Sequence, residues 1–246
     1  MRPIFSPEGG ALLRKFASQR LLLAFDFDGT LSPITTEPDA ATIRPATKKL
    51  LRELTLKYPC IVVSGRSRED VRRRLHGIRF AEVIGNHGIE PWDSTRDGAE
   101  TVRRWIPILT QQLKELPGIY LEDKGFSVSV HYRKEQQKRR AARMIGRVCR
   151  SLSHARILGG KNVINVLPRN APNKGLAVEE ERRRRHCEYV IYAGDDKTDE
   201  DAFALAESKK FLGVRVGKKR DSLAGFYIKN QREIDRLLKA LITLRV

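Results

Sequence analysis

Two aspartates one residue apart, in Asp26-Phe27-Asp28-Gly29-Thr30, follow directly on an apolar run at residues 21–25. Carboxylates at i and i+2 on a strand end form a compact acidic pocket. One of them can attack phosphorus and make an acyl phosphate, which splits a difficult displacement into two easier ones. Its neighbour can protonate the departing oxygen and then activate water, a task set by placement more than by side-chain type. Carboxylate and phosphate repel each other, so this chemistry needs a cation, and an all-oxygen site suits Mg²⁺. A second acidic group, Gly194-Asp195-Asp196-Lys197-Thr198-Asp199-Glu200-Asp201, follows another apolar run. So many acids repel one another unless a cation or a helix N-terminus absorbs their charge. Asp195 is expected to be a further metal ligand, with Asp196 and Asp199 behind it, and N-capping is the competing role for the downstream acids. Two more segments suit a phosphate. Ser64-Gly65-Arg66 offers a hydroxyl and backbone N–H groups, although Ser-Gly is also a common turn. Lys174, in Asn173-Lys174-Gly175, places a positive charge ahead of a helix.

These groups require elements that end together. Apolar strand-like runs occupy residues 21–26, 60–64, 81–85 and 188–195, and helical spacing appears at 46–57, 68–75 and 198–206. The alternation predicts an α/β fold, a Rossmann-like doubly wound parallel sheet with ligands at the carboxyl ends of its strands. Residues 91–172 read differently, as an inserted α+β unit between core segments 1–90 and 173–246. The insert shows a helical pattern at 101–116, a strand at 119–124 and, after Gly125, strict alternation. Phe126, Val128, Val130 and Tyr132 there oppose Ser127, Ser129, His131 and Arg133, which gives the insert one polar sheet face. A helix carrying Ala141, Ile145, Val148 and Leu152 follows, then strands near 155–158 and 162–167.

Composition narrows the function classes. The 246 residues are 40% hydrophobic, which suits a globular chain, and no run is long enough to span a bilayer. Cys60, Cys149 and Cys187 lack the paired spacing of a zinc or redox site, and isolated thiols suit a reducing cytoplasm. With no signal-peptide core visible, a cytoplasmic protein without membrane partners is expected. The net charge of +18 comes with only 7% aromatic residues and no recognisable nucleic-acid module, so a nucleic-acid partner is not expected. The same field favours a small anionic substrate.

The four acidic, hydroxyl and basic segments, in this order, resemble the haloacid-dehalogenase-like phosphatases. More narrowly, the chain resembles the trehalose-6-phosphate phosphatases. The further matches are Phe27-Asp28-Gly29-Thr30-Leu31-Ser32-Pro33-Ile34, Gly85-Asn86-His87-Gly88 and the segment from Leu121 through His131-Tyr132-Arg133. The resemblance implies a Mg²⁺-dependent hydrolase of a phosphosugar, acting through an aspartyl phosphate. Asp26 would be the nucleophile and a metal ligand. Asp28 would be the general acid and base, binding metal through its carbonyl. Ser64 and Lys174 would hold the phosphoryl group, and Asp195 would complete the ligands. The insert would be a cap, with Glu122, Lys124, Arg133 and Lys161 facing the sugar. Gly65, Arg66, Asn86, His87, His131 and Asn165 complete the expected substrate contacts. Asn165 and Leu167 stand where the family carries a glutamate and an arginine, so the identity of the sugar is the open point. The alternatives are a phosphatase for another phosphosugar, such as glucosylglycerol or sucrose phosphate, a phosphomutase, and a basic nucleic-acid-binding protein.

Overall fold

The computed structural model describes residues 1–35, 38–92, 96–160 and 162–245, and the chain divides into two units, Met1–Gly88 with Asn173–Val246, and Ile89–Pro172. The first unit begins with β1 (Arg2–Pro3), α1 (Pro7–Ala17), β2 (Leu21–Phe25), α2 (Pro45–Lys57), β3 (Cys60–Val63), α3 (Arg68–Arg74) and β4 (Glu82–Ile84). The second holds α4 (Arg96–Gln112), β5 (Tyr120–Asp123), β6 (Val128–His131), α5 (Lys138–Ser151), β7 (Ala155–Gly160) and β8 (Val163–Pro168). The chain returns to the first unit with α6 (Lys174–Arg184), β9 (Tyr189–Gly194), α7 (Glu200–Phe203), β10 (Phe211–Val216), β11 (Phe226–Ile228) and α8 (Ile234–Leu244).

Among the described residues the first unit forms one parallel sheet in the order β1-β11-β10-β9-β2-β3-β4. Strand β2 is apolar throughout because both of its faces are covered. Leu21, Leu23 and Phe25 pack with Phe16 of α1, Leu51 of α2, Val71 of α3 and Leu237 of α8. Leu22 and Ala24 meet Ala177 of α6 and Phe203 of α7 on the opposite face. Each such Leu or Phe contributes about 1.5–3 kcal/mol over leaving it in water. The doubly wound fold read from the sequence is the one observed. From β2 the chain moves outward through β3 and β4, then crosses to β9, β10 and β11 on the other side. The crevice at the carboxyl ends of β2 and β9 is thus the switch point at which such sheets bind ligands.

The second unit is an antiparallel sheet in the order β5-β6-β8-β7. Val128, Val130, Ile164 and Val166 pack with Val102 and Trp105 of α4 and Ala141, Ile145 and Cys149 of α5. Glu122, Ser129 and Asn165 lie in register across its other face.

Two helical expectations change. The helix expected at 101–116 runs Arg96–Gln112, with Pro107 inside it. The one expected at 198–206 is broken into a 3₁₀ turn, α7 and a second 3₁₀ turn. The Asp199 carboxylate accepts the Asp196 N–H at 2.8 Å, and this local bond favours a tight turn over a regular helix. Strands β1, β10 and β11 and helices α1 and α8 went unread in the sequence.

Candidate active site

Asp26 is the first residue beyond β2, its N–H bonded to the Ala193 carbonyl at 2.8 Å. Lys174 opens α6, which Asn173 caps by accepting the Leu176 N–H at 2.9 Å. The cap fixes the helix entry, and so the origin of the Lys174 side chain. Its Nζ donates to Asp26 Oδ1 and to Asp199 Oδ1, each at 2.7 Å. Tyr192, within β9, donates its hydroxyl to the same Asp199 Oδ1 at 2.7 Å. With the Asp196 N–H on its other oxygen, Asp199 accepts three protein donors and acts as the post that holds Lys174 against Asp26.

Asp26, Asp195 and Asp199 each offer an oxygen within 4.8 Å of the others. Three carboxylates then face one buried ammonium, an unbalanced arrangement. Burial raises the Asp26 carboxyl well above its usual range; Lys174 opposes that shift, and Asp199 and Asp195 add to it. Asp195 is pushed up to about 7, first by burial and then by Asp199. For Lys174 burial works against the charge, but Asp199 and Asp26 outweigh it and the ammonium is held above its ordinary value. Asp195 Oδ1 is buried with no hydrogen-bond partner. A buried carboxylate oxygen without a donor, beside two more carboxylates, fits an oxygen-ligated divalent cation. Asp196 differs from its neighbours: its side chain is exposed and lies outside this group.

The carboxylate of Asp28 points elsewhere. Arg66 holds it with two bonds, Nε to Oδ2 at 2.7 Å and Nη2 to Oδ1 at 2.8 Å, and reaches Asp70 at 2.9 Å. Arg66 therefore orients Asp28. Burial alone would raise the Asp70 carboxyl, but bonds from Arg74, Arg66 and Arg73 hold it well below the usual range. Ser64 is buried just past β3, and its Oγ accepts the Arg66 N–H at 3.2 Å. The loop after β4 is tied to the same turn, with the His87 N–H on the Ser64 carbonyl at 2.9 Å and the Asn86 N–H on the Arg66 carbonyl at 2.7 Å. Both Asn86 and His87 adopt positive φ, 49° and 59°. A Cβ on Gly65 would lie 2.5 Å from His87 Cε1, so the ring packs there only because residue 65 is glycine. Gly29, at φ 81°, is equally constrained: a methyl group would overlap the Asp195 carboxylate.

In the second unit, His131 Nε2 lies 2.8 Å from Glu122 Oε2, and Lys124 Nζ lies 3.7 Å from the same oxygen. Ser129 donates to Asn165 Oδ1 at 2.6 Å, and both residues are buried. The polar face thus carries two bonded groups, Glu122 with His131 and Lys124, and Ser129 with Asn165. Arg133 is half-buried. Lys161 lies outside the described residues. Leu167 is fully buried with Ile89 and Ala171, packed on by Phe126 and Leu158.

Sequence reading missed several supporting residues. Arg215 on β10 is 5% exposed and donates to the Asp195 and Asp196 carbonyls and, at 2.7 Å, to Glu200 Oε1. It clamps the loop that presents Asp195. Gln231 Nε2 bonds the Thr30 and Leu31 carbonyls at 3.1 and 3.2 Å, steadying the loop after β2. An arginine inside the apolar run Phe211–Val216 and a tyrosine inside Tyr189–Gly194 were the available signals, since buried polar groups in strands need partners.

The sequence pattern of the trehalose-phosphatase family matches residues 24–231. Probable trehalose-phosphate phosphatase 4 of Oryza sativa subsp. japonica is 30% identical over 248 residues, covering 93% of this chain and 67% of that one. The trehalose-phosphate phosphatase of Mycobacterium tuberculosis is 36% identical over 201 residues, covering 73% of this chain and 49% of that longer one. Among solved structures, the C-terminal domain of C. albicans trehalose-6-phosphate phosphatase superposes with a TM-score of 0.80 at 21% identity, covering 99% of this chain and 98% of that one.

Proposed function

The chain belongs to the trehalose-phosphatase family and is a phosphatase, and from that premise we propose that it hydrolyses trehalose 6-phosphate to trehalose and phosphate. The carrying observation is the buried Asp26–Lys174–Asp199 cluster beside the unpartnered Asp195 oxygen. An Asp26 oxygen attacks phosphorus, the bond from phosphorus to the sugar oxygen breaks, and that oxygen takes its proton from Asp28. For this the Asp28 side chain must first turn from the Arg66 guanidinium toward the substrate and take up a proton. Asp28 then removes a proton from water, whose oxygen attacks phosphorus and releases phosphate from Asp26. Lys174 and the Ser64 turn hold the phosphoryl oxygens. Mg²⁺, held by Asp26, Asp195 and the Asp28 carbonyl, would neutralise charge on the transferring group. Glu122, Lys124, His131 and Arg133 would receive sugar hydroxyls, as would Lys161.

Asn165 favours a second reading. Its Oδ1 already accepts the Ser129 hydroxyl, which leaves its amide chiefly as a donor to a sugar. A phosphosugar with fewer donor hydroxyls at that position would suit it. Phosphate release from trehalose 6-phosphate, sucrose phosphate, glucosylglycerol phosphate and an aryl phosphate, with Mg²⁺ or with EDTA, separates the readings by kcat/KM. Highest kcat/KM on trehalose 6-phosphate supports the first. Turnover of the aryl phosphate without any on trehalose 6-phosphate would sink it.

Two consequences concern the metal. Because Arg215 grips the successive carbonyls of Asp195 and Asp196, Arg215→Met should weaken Mg²⁺ binding about 10–100-fold, the usual cost of losing an outer support. Arg215→Lys should recover part of that loss. Isothermal titration with Mg²⁺ reads it directly, and unchanged affinity in a folded Arg215→Met protein would refute the clamp. The second concerns pH. Without metal, Asp195 holds its proton up to about pH 7, whereas the unfolded chain releases it near 3.8. The metal-free fold should therefore lose stability as pH rises from about 4 to 7. Mg²⁺ displaces that proton, so its affinity should fall by up to about tenfold per pH unit below 7. The gain in Tm on adding Mg²⁺ should be larger at pH 7.5 than at pH 5.5; equal gains would contradict the linkage.

A further inference from the structure

The net charge of +18 is concentrated in the sequence, with 16 Lys and Arg against 7 Asp and Glu in residues 92–172, and the fold shows which cations are paired. Two arginine clusters are neutralised within their own element. On α6, Arg182, Arg183, Arg184 and Arg185 each pair with Glu179, Glu180 or Glu181 one turn back. On α3, Arg73 and Arg74 pair with Asp70. Helix α5 has no such compensation. Lys138, Arg139, Arg140, Arg143, Arg147 and Arg150 are all exposed, and among the described residues none of them has an ion-pair partner. The chain has no acidic residue at all between Glu135 and Glu179.

The arrangement is linear. Arg139, Arg143, Arg147 and Arg150 follow spacings of four, four and three, which put them on one stripe of the helix. At about 1.5 Å per residue the stripe runs roughly 16 Å. One strand of a nucleic-acid duplex presents about five phosphates over that length, at roughly 3.4 Å each along the axis.

Other anionic partners fit less well. A membrane-surface helix inserts its apolar face, but Ala141, Ile145 and Cys149 are already committed to the core beneath α5. The buried core of a protein interface is largely apolar, and the outward stripe carries charge alone. Guanidinium groups match phosphodiester oxygens in pairs. With no aromatic side chain on α5 there is nothing to stack on a base.

We propose that the outer face of α5 is a sequence-independent binding surface for the phosphate backbone of nucleic acid, a role separate from phosphatase chemistry. The composition alone argued against a nucleic-acid partner; the uncompensated stripe is what reverses that reading.

The test uses the full chain and a fluorescein-labelled 20-base-pair duplex, followed by anisotropy from 25 to 200 mM KCl. Binding near about 10⁻⁶ M at low salt is expected, with log K against log[KCl] falling at a slope of about −3 to −4 for four neutralised phosphates. R139Q/R143Q/R147Q/R150Q should weaken binding more than tenfold and flatten that slope, with phosphate release from small substrates unchanged. Glutamine preserves helix propensity at these exposed positions; R143Q/R147Q, with about half the loss in slope, serves if the fourfold variant does not fold. R183Q/R184Q/K218Q/K219Q removes the same charge elsewhere and should change binding less than twofold. Equal losses in both fourfold variants would mean that total charge, not α5, binds the duplex, and would overturn the proposal. So would weaker binding to the duplex than to phosphatidylserine vesicles through the same four arginines.

Discussion

Asp26→Asn should reduce turnover of trehalose 6-phosphate by at least about 10⁴-fold, the order of loss when a covalent nucleophile is removed. The substitution keeps the shape of the side chain but removes the anionic oxygen that must bond to phosphorus. The structure makes the variant a clean probe. Asp26 sits 4% exposed at the end of β2, its backbone fixed by the Ala193 carbonyl, so the amide has nowhere else to go. Lys174 keeps its second partner, Asp199, and need not collapse into the space. Substrate binding should survive, because the phosphoryl group is also held at Ser64 and Lys174. The expected pattern is a large fall in kcat with little change in the dissociation constant of the substrate. Near-normal turnover in a folded, Mg²⁺-binding variant would remove Asp26 from the chemistry.

The parts of this fold legible in the sequence share a physical cause. Strands β2, β3 and β9 are covered on both faces, so they read as unbroken apolar runs, and the acidic or hydroxyl residues that end them stand out. Strand β10 is equally buried but carries Arg215 in mid-run, which hid the strand and its function together. Asp26, Lys174 and Asp195 were readable because each adjoins a turn or cap signal: Gly29 after the first, Asn173 before the second, Gly194 before the third. What the spacing could not give is how the acids divide their work. Asp195, Asp196 and Asp199 look alike in a row. Only the fold shows Asp199 saturated by Lys174, Tyr192 and a backbone N–H, Asp195 left with a bare oxygen, and Asp196 turned to solvent. Arg66 is a similar case. Its position after Ser64-Gly65 suggested a phosphate contact, whereas its guanidinium is spent on Asp28 and Asp70.

Lys174→Met should be the most destabilising single change in the site, at about 3–5 kcal/mol near neutral pH in the absence of metal. That is the usual penalty when one member of a buried ion cluster is deleted and its partners stay behind. Methionine fills a similar volume and packs without strain, so the loss comes from charge and not from a cavity. Asp26 and Asp199 would face each other without the ammonium that bridges them at 2.7 Å on each side. Two further results distinguish this account from a simple packing defect. Lowering the pH should narrow the gap between variant and parent, because protonating the carboxylates removes the repulsion that Lys174 offsets. Saturating Mg²⁺ should raise the Tm of the variant more than that of the parent, since a cation does more where a cation is missing. Turnover, however, should stay about 10²–10³-fold down even with Mg²⁺ bound, because the ammonium also stabilises charge developing on the phosphoryl oxygens. Thermal denaturation at pH 5.5 and 7.5, with and without Mg²⁺, reads the first three effects. A destabilisation independent of both pH and Mg²⁺ would mean that Lys174 serves packing alone. The Asp199 post would then have no electrostatic reason to exist.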